Sequence, residues 1–549
     1  MFVSIVLNTE YMDYSSRKMW YLKNLLHCKE NGWILITHDY IRKHFDELQN
    51  SINERFFEQF EMRRFTLKET HEVEQYFIPD EIFDERENEF GSRTEMLFHF
   101  FNNEDSRLKK CFENIFSQIM EKHPNENIDG IIHCLEPYQT IRSFARFINV
   151  PLINYSFSAF RKPHGYRQTL YQANMNGFYW GTVDCEKRFN SFKEKYTNNL
   201  PLFTNKEILA IIGKERNLPI LNLIDAQPKY EMGICCECYS LVPKVFHDNP
   251  YLDDDIFYEC NKYYKKTDIK VRSHAAHLDQ LQISRNDVHN DPASTILSCK
   301  RVTAVQSQIL LKALLWNRSV IMKKKTLPFA AFCNSDYSSD SRLDLLTLNF
   351  YIFCYLIPSD LMFSDEYWRW RLSLPSEVEI YMKHLFFILD KLEINSKVLD
   401  LRPNERLEHI LKSRFCDKQL IDDILSSKTH NIDWNVVSSR IEVQYNNNNK
   451  KIFWRINEQD TTNGNITTTL KLENFIDIKK IEFYPLDDIE GYSCLLSCRI
   501  NDNDCDIENL NKLIYMPKQI GCYNININNK FINCQEIEFV WNYQFKINK

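Results

Sequence analysis

The chain has 549 residues, 44% of them hydrophobic and 14% aromatic, enough apolar material for several cores rather than one. A formal net charge of −7 provides no basic excess, which excludes nucleic acid as the main partner. No segment reaches the ~18 uninterrupted apolar residues of a membrane span; the nearest, 345–363, is broken by Asn349, Pro358 and Asp360.

The opening "FVSIVLN" has no basic stretch before it and reads as a first strand rather than a signal peptide, which places the chain in the cytoplasm. "WILITH" is a short strand running into an amphipathic helix. Residues 94–122 carry apolar side chains at helical spacing. Strand Gly130–Cys134, a turn at Glu136-Pro137, helix Gln139–Ile148 and strand Leu152–Tyr155 then make a βαβ unit, so the sheet is expected to be parallel. The pattern restarts with "ILNLID", Ile220–Asp225, expected as a strand closing on an acid. A helix "DDIFYECNKYYKKT" and a strand "DIKVRSH" follow, then the turn Thr303–Ser307, a helix from Gln308 to Trp316, the tight turn Asn317-Arg318 and a buried strand from Ser319.

Residues 340–395 are helical and aromatic-rich, and charged helices near 404–427 form a connector. From about Asp433 the chain alternates in β fashion between Asn-rich linkers, which predicts an all-β sandwich. The expected fold class is α/β, a pair of Rossmann-like domains followed by a C-terminal all-β sandwich. The boundaries are 1–205, 206–395, 396–432 for the helical connector and 433–549.

In open α/β sheets ligands sit beyond the carboxyl ends of the strands. Candidate groups there are Asp225, Arg272 with His274 in "VRSHAAH", and the turn Thr303, Gln306, Ser307 and Gln308, whose helix start suits a phosphate. Glu136 occupies the equivalent place in the first domain. Each has a plainer reading: Ser307 as a helix cap, Asp225 as a cap or the partner of Lys229, His274 as a hydrogen-bonded histidine rather than one of a metal pair with His277. Their shared location is the argument. The chain has no GxGxxG, Walker, GxSxG or HExxH motif. The only cysteine cluster, Cys235, Cys236 and Cys238, lacks the second pair that zinc needs. With no convincing DxD pair, a transferase here is expected to need no metal or other cofactor. Arginine and the helix dipole would stabilise the leaving phosphate.

"VTAVQSQILLKALLWNRSVI" resembles the capsule and O-antigen transferases. "INYSFSAFRKPHGYRQTLYQANMNGFYWG", Ile153–Gly181, and "NFYIFCYLIPSDLMFSDEYWRWRLSLPSEVEIYMKHLFF", Asn349–Phe387, are similar to segments of the family 99 glycosyltransferases. The resemblance implies a GT-B-like arrangement and retaining transfer of a Kdo-like sugar from a CMP-activated donor to an oligosaccharide or lipid-linked glycan acceptor. It also implies a carboxylate nucleophile, assigned to Asp225, and peripheral association with a membrane assembly complex. The chain departs from the pattern at Lys312 and Ser156, where the family carries Glu, so Glu136 is the acid expected to activate the acceptor. "IKKIEFYPL" is similar to an appended β-sandwich of glycan-building enzymes, with Tyr484 in place of an Asp. The alternatives are a GT-B transferase with another nucleotide-sugar donor and a non-catalytic glycan-binding or scaffold relative.

Overall fold

The apolar run Phe2–Val6 forms strand β1 and is buried throughout, as expected at the centre of a parallel sheet with helices on both faces. In the computed structural model β1 pairs in parallel with β2 (Ile34–His38), and β2 with β3 (Gln75–Ile78). On its other side lie β4 (Gly130–Cys134) and β5 (Leu152–Phe157), also parallel, and then β6 (Leu170–Asn174), which is antiparallel. The structure describes residues 1–7, 14–44, 57, 62–135, 138–162, 165–175, 183–197, 200–214, 217–236, 253–272, 292–305, 307–323, 327–416 and 418–426. Beyond these it describes the backbone of six strands between Ser439 and Tyr543.

Helix Tyr14–Asn31 covers one face of this sheet with Trp20, Leu22 and Leu25. The other face packs against Phe100, Phe112 and Phe144 of helices Arg93–Asn102, Ser106–Lys122 and Gln139–Phe147. The periodic stretch 94–122 is therefore two helices. The break is at Asp105, whose buried carboxylate accepts from the amides of Arg107 and Leu108 and pairs with Arg86 at 2.7 Å.

The second unit is a four-stranded parallel sheet of β7 (Tyr230–Cys235), β8 (Ile269–Arg272), β9 (Cys299–Thr303) and β10 (Ser319–Ile321), in the order β10-β9-β7-β8. The expected strand Ile220–Asp225 is not part of it. Those residues are the helix Leu218–Leu223 and the turn after it. Pro219 sits in the first turn, where its missing N–H costs nothing, and Ile220, Leu221 and Ile224 are all buried. A short apolar run fits a buried helix as well as a buried strand, and periodicity does not separate them.

The helix Ile309–Leu315 ends in a left-handed Asn317, φ 59°. The Asn317 amide donates to the Leu314 carbonyl and the Arg318 amide to that of Ala313. This is the paired bonding of a Schellman end, so the expected turn is present.

The aromatic segment after Leu345 reaches back to the first unit. A π-helical turn, Tyr351–Tyr355, leads into β11 (Leu356–Pro358), which pairs antiparallel with β6. The first sheet thus has seven strands in the order β11-β6-β5-β4-β1-β2-β3. Helix Asp365–Leu372 docks beside it: Asn31 donates to the Phe363 carbonyl at 2.9 Å, and Trp368 lies in the same core as Trp20. Helix Glu377–Lys391 then packs Ile380 and Leu385 into the core of the second unit. Its Glu377 holds Arg188 in a two-pronged ion pair at 3.0 Å. In the connector, helix Pro403–Arg414 is held by the fully buried pair Arg406–Glu207 at 2.5 Å.

The C-terminal strands are β12 (Ser439–Gln444), β13 (Asn449–Trp454), β14 (Asn465–Pro485), β15 (Ser493–Ile500), β16 (Asn503–Asp504) and β17 (Tyr523–Tyr543). They form one antiparallel sheet in the order β13-β12-β14-β17-β15-β16. The expected sandwich requires a second sheet, and the described residues form a single one here. No described helix is long and apolar enough to cross a membrane.

Candidate functional site

Each α/β sheet reverses its order once. In the first sheet the chain adds β2 and β3 on one side of β1 and then places β4 on the other. In the second it adds β8 beside β7 and then crosses back to β9. At such reversals the two neighbouring connections leave in opposite directions, and a crevice opens beyond the carboxyl ends of the strands. The crevices therefore lie past Val6 and Cys134 in the first unit and past Cys235 and Thr303 in the second.

The second crevice collects part of the expected set. Arg272, buried, ends β8 in register with Cys235, and Ile234 is in register with Thr303. Arg272 and Thr303 are thus two strand spacings apart, about 10 Å, with Ser307 and Gln308 following from Thr303. The Thr303 hydroxyl is occupied in the fold, donating to the Ile321 carbonyl at 2.9 Å. The residue at the cap position is Gln308 rather than Ser307, it lies in the helical region, and it makes no side-chain cap bond. The amides of Leu310 and Leu311 donate to the carbonyls of Ser307 and Gln308, so part of the helix opening is satisfied by its own chain. His274, Gln306 and Glu136 lie outside the described residues.

Asp225 is not in this group. It follows the helix Leu218–Leu223 and precedes β7, which places it at the amino end of the sheet. Arg318, just before β10, donates to the carbonyls of Leu223, Ile224 and Leu297 there, the last also just before a strand. Burial pushes the Arg318 guanidinium down to about 10, with Asp225 among the charges that oppose the shift. The Asp225 carboxylate is half exposed and paired with Lys206 at 2.5 Å. The lysine it pairs with is Lys206 rather than the expected Lys229.

Sequence reasoning missed a buried polar row in the first sheet. His133 pairs in register with Asn154, Asn154 with Asn174, and Ser156 with Gln172. Cross-strand partners share a face, so all five point the same way, and all are buried. Tyr351 of the π-helical turn donates to Gln172 at 3.3 Å. His133 Nδ1 is 3.3 Å from Asn154 Oδ1, while His133 Nε2 and Asn154 Nδ2 are buried without a hydrogen-bond partner. Burial lowers the His133 pKa to about 4. The next residue but one, Leu135, is left-handed at φ 66°, a conformation costly for a branched side chain and frequent at functional turns. The signal available was the alternation of Asn154 with Ser156 and of Gln172 with Asn174.

Two α/β units, each with a crevice at its strand reversal and joined through one continuous core from Ala159 to Ile424, define a two-unit mixed α/β protein with parallel sheets. Residues 7–179 match the Glycosyltransferase 99 family N-terminal domain. Among solved structures, a β-Kdo 2,4 transferase, KpsC of Thermosulfurimonas dismutans, is 14% identical with a TM-score of 0.28, covering 40% of this chain and 78% of that one. The β-Kdo 2,7 transferase of the same KpsC is 11% identical with a TM-score of 0.28, covering 45% and 86%. A UDP-GlcNAc 2-epimerase of Methanocaldococcus jannaschii is 10% identical with a TM-score of 0.23, covering 60% and 85%. No curated protein matches the chain.

Proposed function

We propose that this chain is a glycosyltransferase of capsule or related surface-polysaccharide synthesis, in a GT-B-like arrangement, moving a Kdo-like acidic sugar from a CMP-activated donor to an oligosaccharide or lipid-linked glycan acceptor. The observation that carries it is the match of residues 7–179 to a glycosyltransferase domain. The donor phosphate is assigned to the second crevice, with Arg272 and the Ser307-Gln308 turn as its donors and His274 beside Arg272 in sequence. One phosphate needs less positive charge than a diphosphate, which suits a crevice where, among the described residues, Arg272 is the buried arginine at a strand end. The acceptor belongs to the first crevice, consistent with peripheral work at a membrane assembly complex.

Transfer with retention requires a carboxylate on the sugar's far face. Because Asp225 lies at the amino end of the second sheet and is paired with Lys206, this reading looks for that carboxylate elsewhere. Glu136, two residues past β4 in sequence, takes its place. The test has two arms. CMP, and neither UDP nor GDP, is expected to raise the melting temperature. Glu136→Gln is expected to lose transfer from CMP-Kdo while Asp225→Asn keeps it within about threefold, since a half-exposed ion pair contributes under about 1 kcal/mol. Loss of turnover in Asp225→Asn would reverse the assignment. No response to any nucleotide would favour the non-catalytic relative, a reading that Ser156 and Lys312, both buried where the family carries Glu, already make concrete.

A further inference from the structure

His133 is the last side chain that β4 contributes to its face of the first sheet. Strand alternation would put Leu135 on that face as well. The left-handed backbone of Leu135, φ 66°, packs its side chain instead against the opposite core, the one that holds Trp20 and Leu25. The carboxyl-end flank of His133 is thus not covered by its own strand. In register with His133 on β5 stands Asn154, and Ser156 is the next residue of β5 on the same face. Exposure rises from 0% at Asn154 to 5% at Ser156. The polar row therefore meets solvent towards its carboxyl end, on the side of the first crevice.

The hydrogen bonds decide what this end of the row can hold. Both neighbours of His133 Nδ1, the Leu135 carbonyl at 3.4 Å and Asn154 Oδ1 at 3.3 Å, are acceptors, so Nδ1 carries the ring proton. Burial keeps the ring neutral. Nε2 is then a lone pair that accepts, and Asn154 Nδ2, with Oδ1 turned to the ring, is a donor. Both atoms are buried and neither has a hydrogen-bond partner, a costly arrangement for a fold to keep. A carboxylate or phosphate, all acceptor, would set its lone pairs against that of Nε2. An ammonium, all donor, would face the hydrogens of Nδ2. A hydroxyl suits both, because it gives a proton to one atom and takes one from the other.

We propose that His133 and Asn154 form a hydroxyl-recognising subsite for the acceptor glycan, with Nε2 accepting from one hydroxyl of a sugar ring, Nδ2 donating to the same or the adjacent one, and Ser156 at the mouth. A site built to bond hydroxyls rejects a ring that lacks them, since its own polar atoms are then left buried and unpaired. The pair determines which acceptor is taken and leaves the transfer step to other groups. That the sugar is the acceptor rests on the transferase reading; the recognition of hydroxyls does not.

The test is a saturation-transfer NMR titration of the full chain with the methyl glycosides of D-glucose, D-galactose and D-mannose, and with tetrahydropyran, a ring of the same size without hydroxyls. Saturable binding of at least one glycoside is expected, with none of tetrahydropyran. His133→Phe and Asn154→Leu each remove one of the unpaired atoms with little change of shape. In either variant binding should weaken about fivefold or more, as losing a hydrogen bond between neutral groups does. A purely structural role for the pair, or its occupation by water alone, would leave glycoside binding unchanged. The response to CMP should be the same in both variants as in the parent, so that failure here and failure of the transferase reading give different results. No saturable binding of any of the three glycosides by the parent chain, or affinity in the variants equal to that of the parent, overturns the proposal.

Discussion

His133 and Asn154 stand opposite each other on β4 and β5 with a ring nitrogen and an amide nitrogen buried and unbonded. Burial keeps the imidazole neutral, with a pKa of about 4 against 6.5 when unfolded. Above pH 6.5 neither state binds the proton and the fold has its full stability. Below that the unfolded chain takes up a proton that the folded chain refuses until about pH 4, so stability falls across this window. At one such site the whole fall is about 3 kcal/mol. Urea midpoints measured from neutral pH down to pH 4 should therefore decline less steeply in His133→Gln than in the parent. Parallel curves would mean that the ring is protonated in the fold. The residues of this row were visible as polar alternation in "INYSFS" and "LYQAN", a pattern that ordinarily marks a solvent face. The π-helical turn with its Tyr351, remote in sequence, caps Gln172, and the helices that pack on the neighbouring Ile131 and Leu152 cover the same face.

Local chemistry served well where an element's identity is decided nearby. Helix Ile309–Leu315 with its Asn317 terminator and the strand after it, and the β4–helix–β5 unit, follow from caps, turns and periodicity. It failed where one apolar run suits two structures. Residues 220–224 are apolar apart from Asn222, and Pro219 at the start of a helix is what separates the cases. It failed again at Leu356–Pro358, a three-residue strand inside an aromatic, helix-like stretch, whose partner β6 lies far upstream. Trp368, fully buried behind that strand among first-unit side chains, gives a test. Trp368→Ala is expected to cost about 3–5 kcal/mol in urea unfolding. Amide exchange should rise in β5 and β6 and not in β7–β10. A loss below about 1 kcal/mol, or exchange confined to the second unit, would contradict the docking of this helix on the first sheet.

Across the molecule, two helical segments are anchored by buried ion pairs, Glu377–Lys391 through Arg188 and Pro403–Arg414 through the pair Arg406–Glu207. Among the described residues, the C-terminal strands form a sheet separate from the two α/β sheets. Truncation after Ser426 should accordingly leave the CMP-dependent rise in melting temperature intact. At a ligand concentration of 100 Kd that linkage is worth about 2.7 kcal/mol. Disappearance of the CMP response on truncation would place the nucleotide against the β region instead.

By itself the sequence determined the class of the chain: paired α/β units, a β-rich tail, and which short segments form helices and strands. These depend on periodicity, capping and turn chemistry within a dozen residues. The tertiary structure alone decided which strand ends are neighbours. It put Asp225 at the amino edge of its sheet, brought β11 home to the first unit, and buried a polar row that would otherwise face water. The order of strands in a sheet is set by long-range packing of whole faces, and no local pattern encodes it.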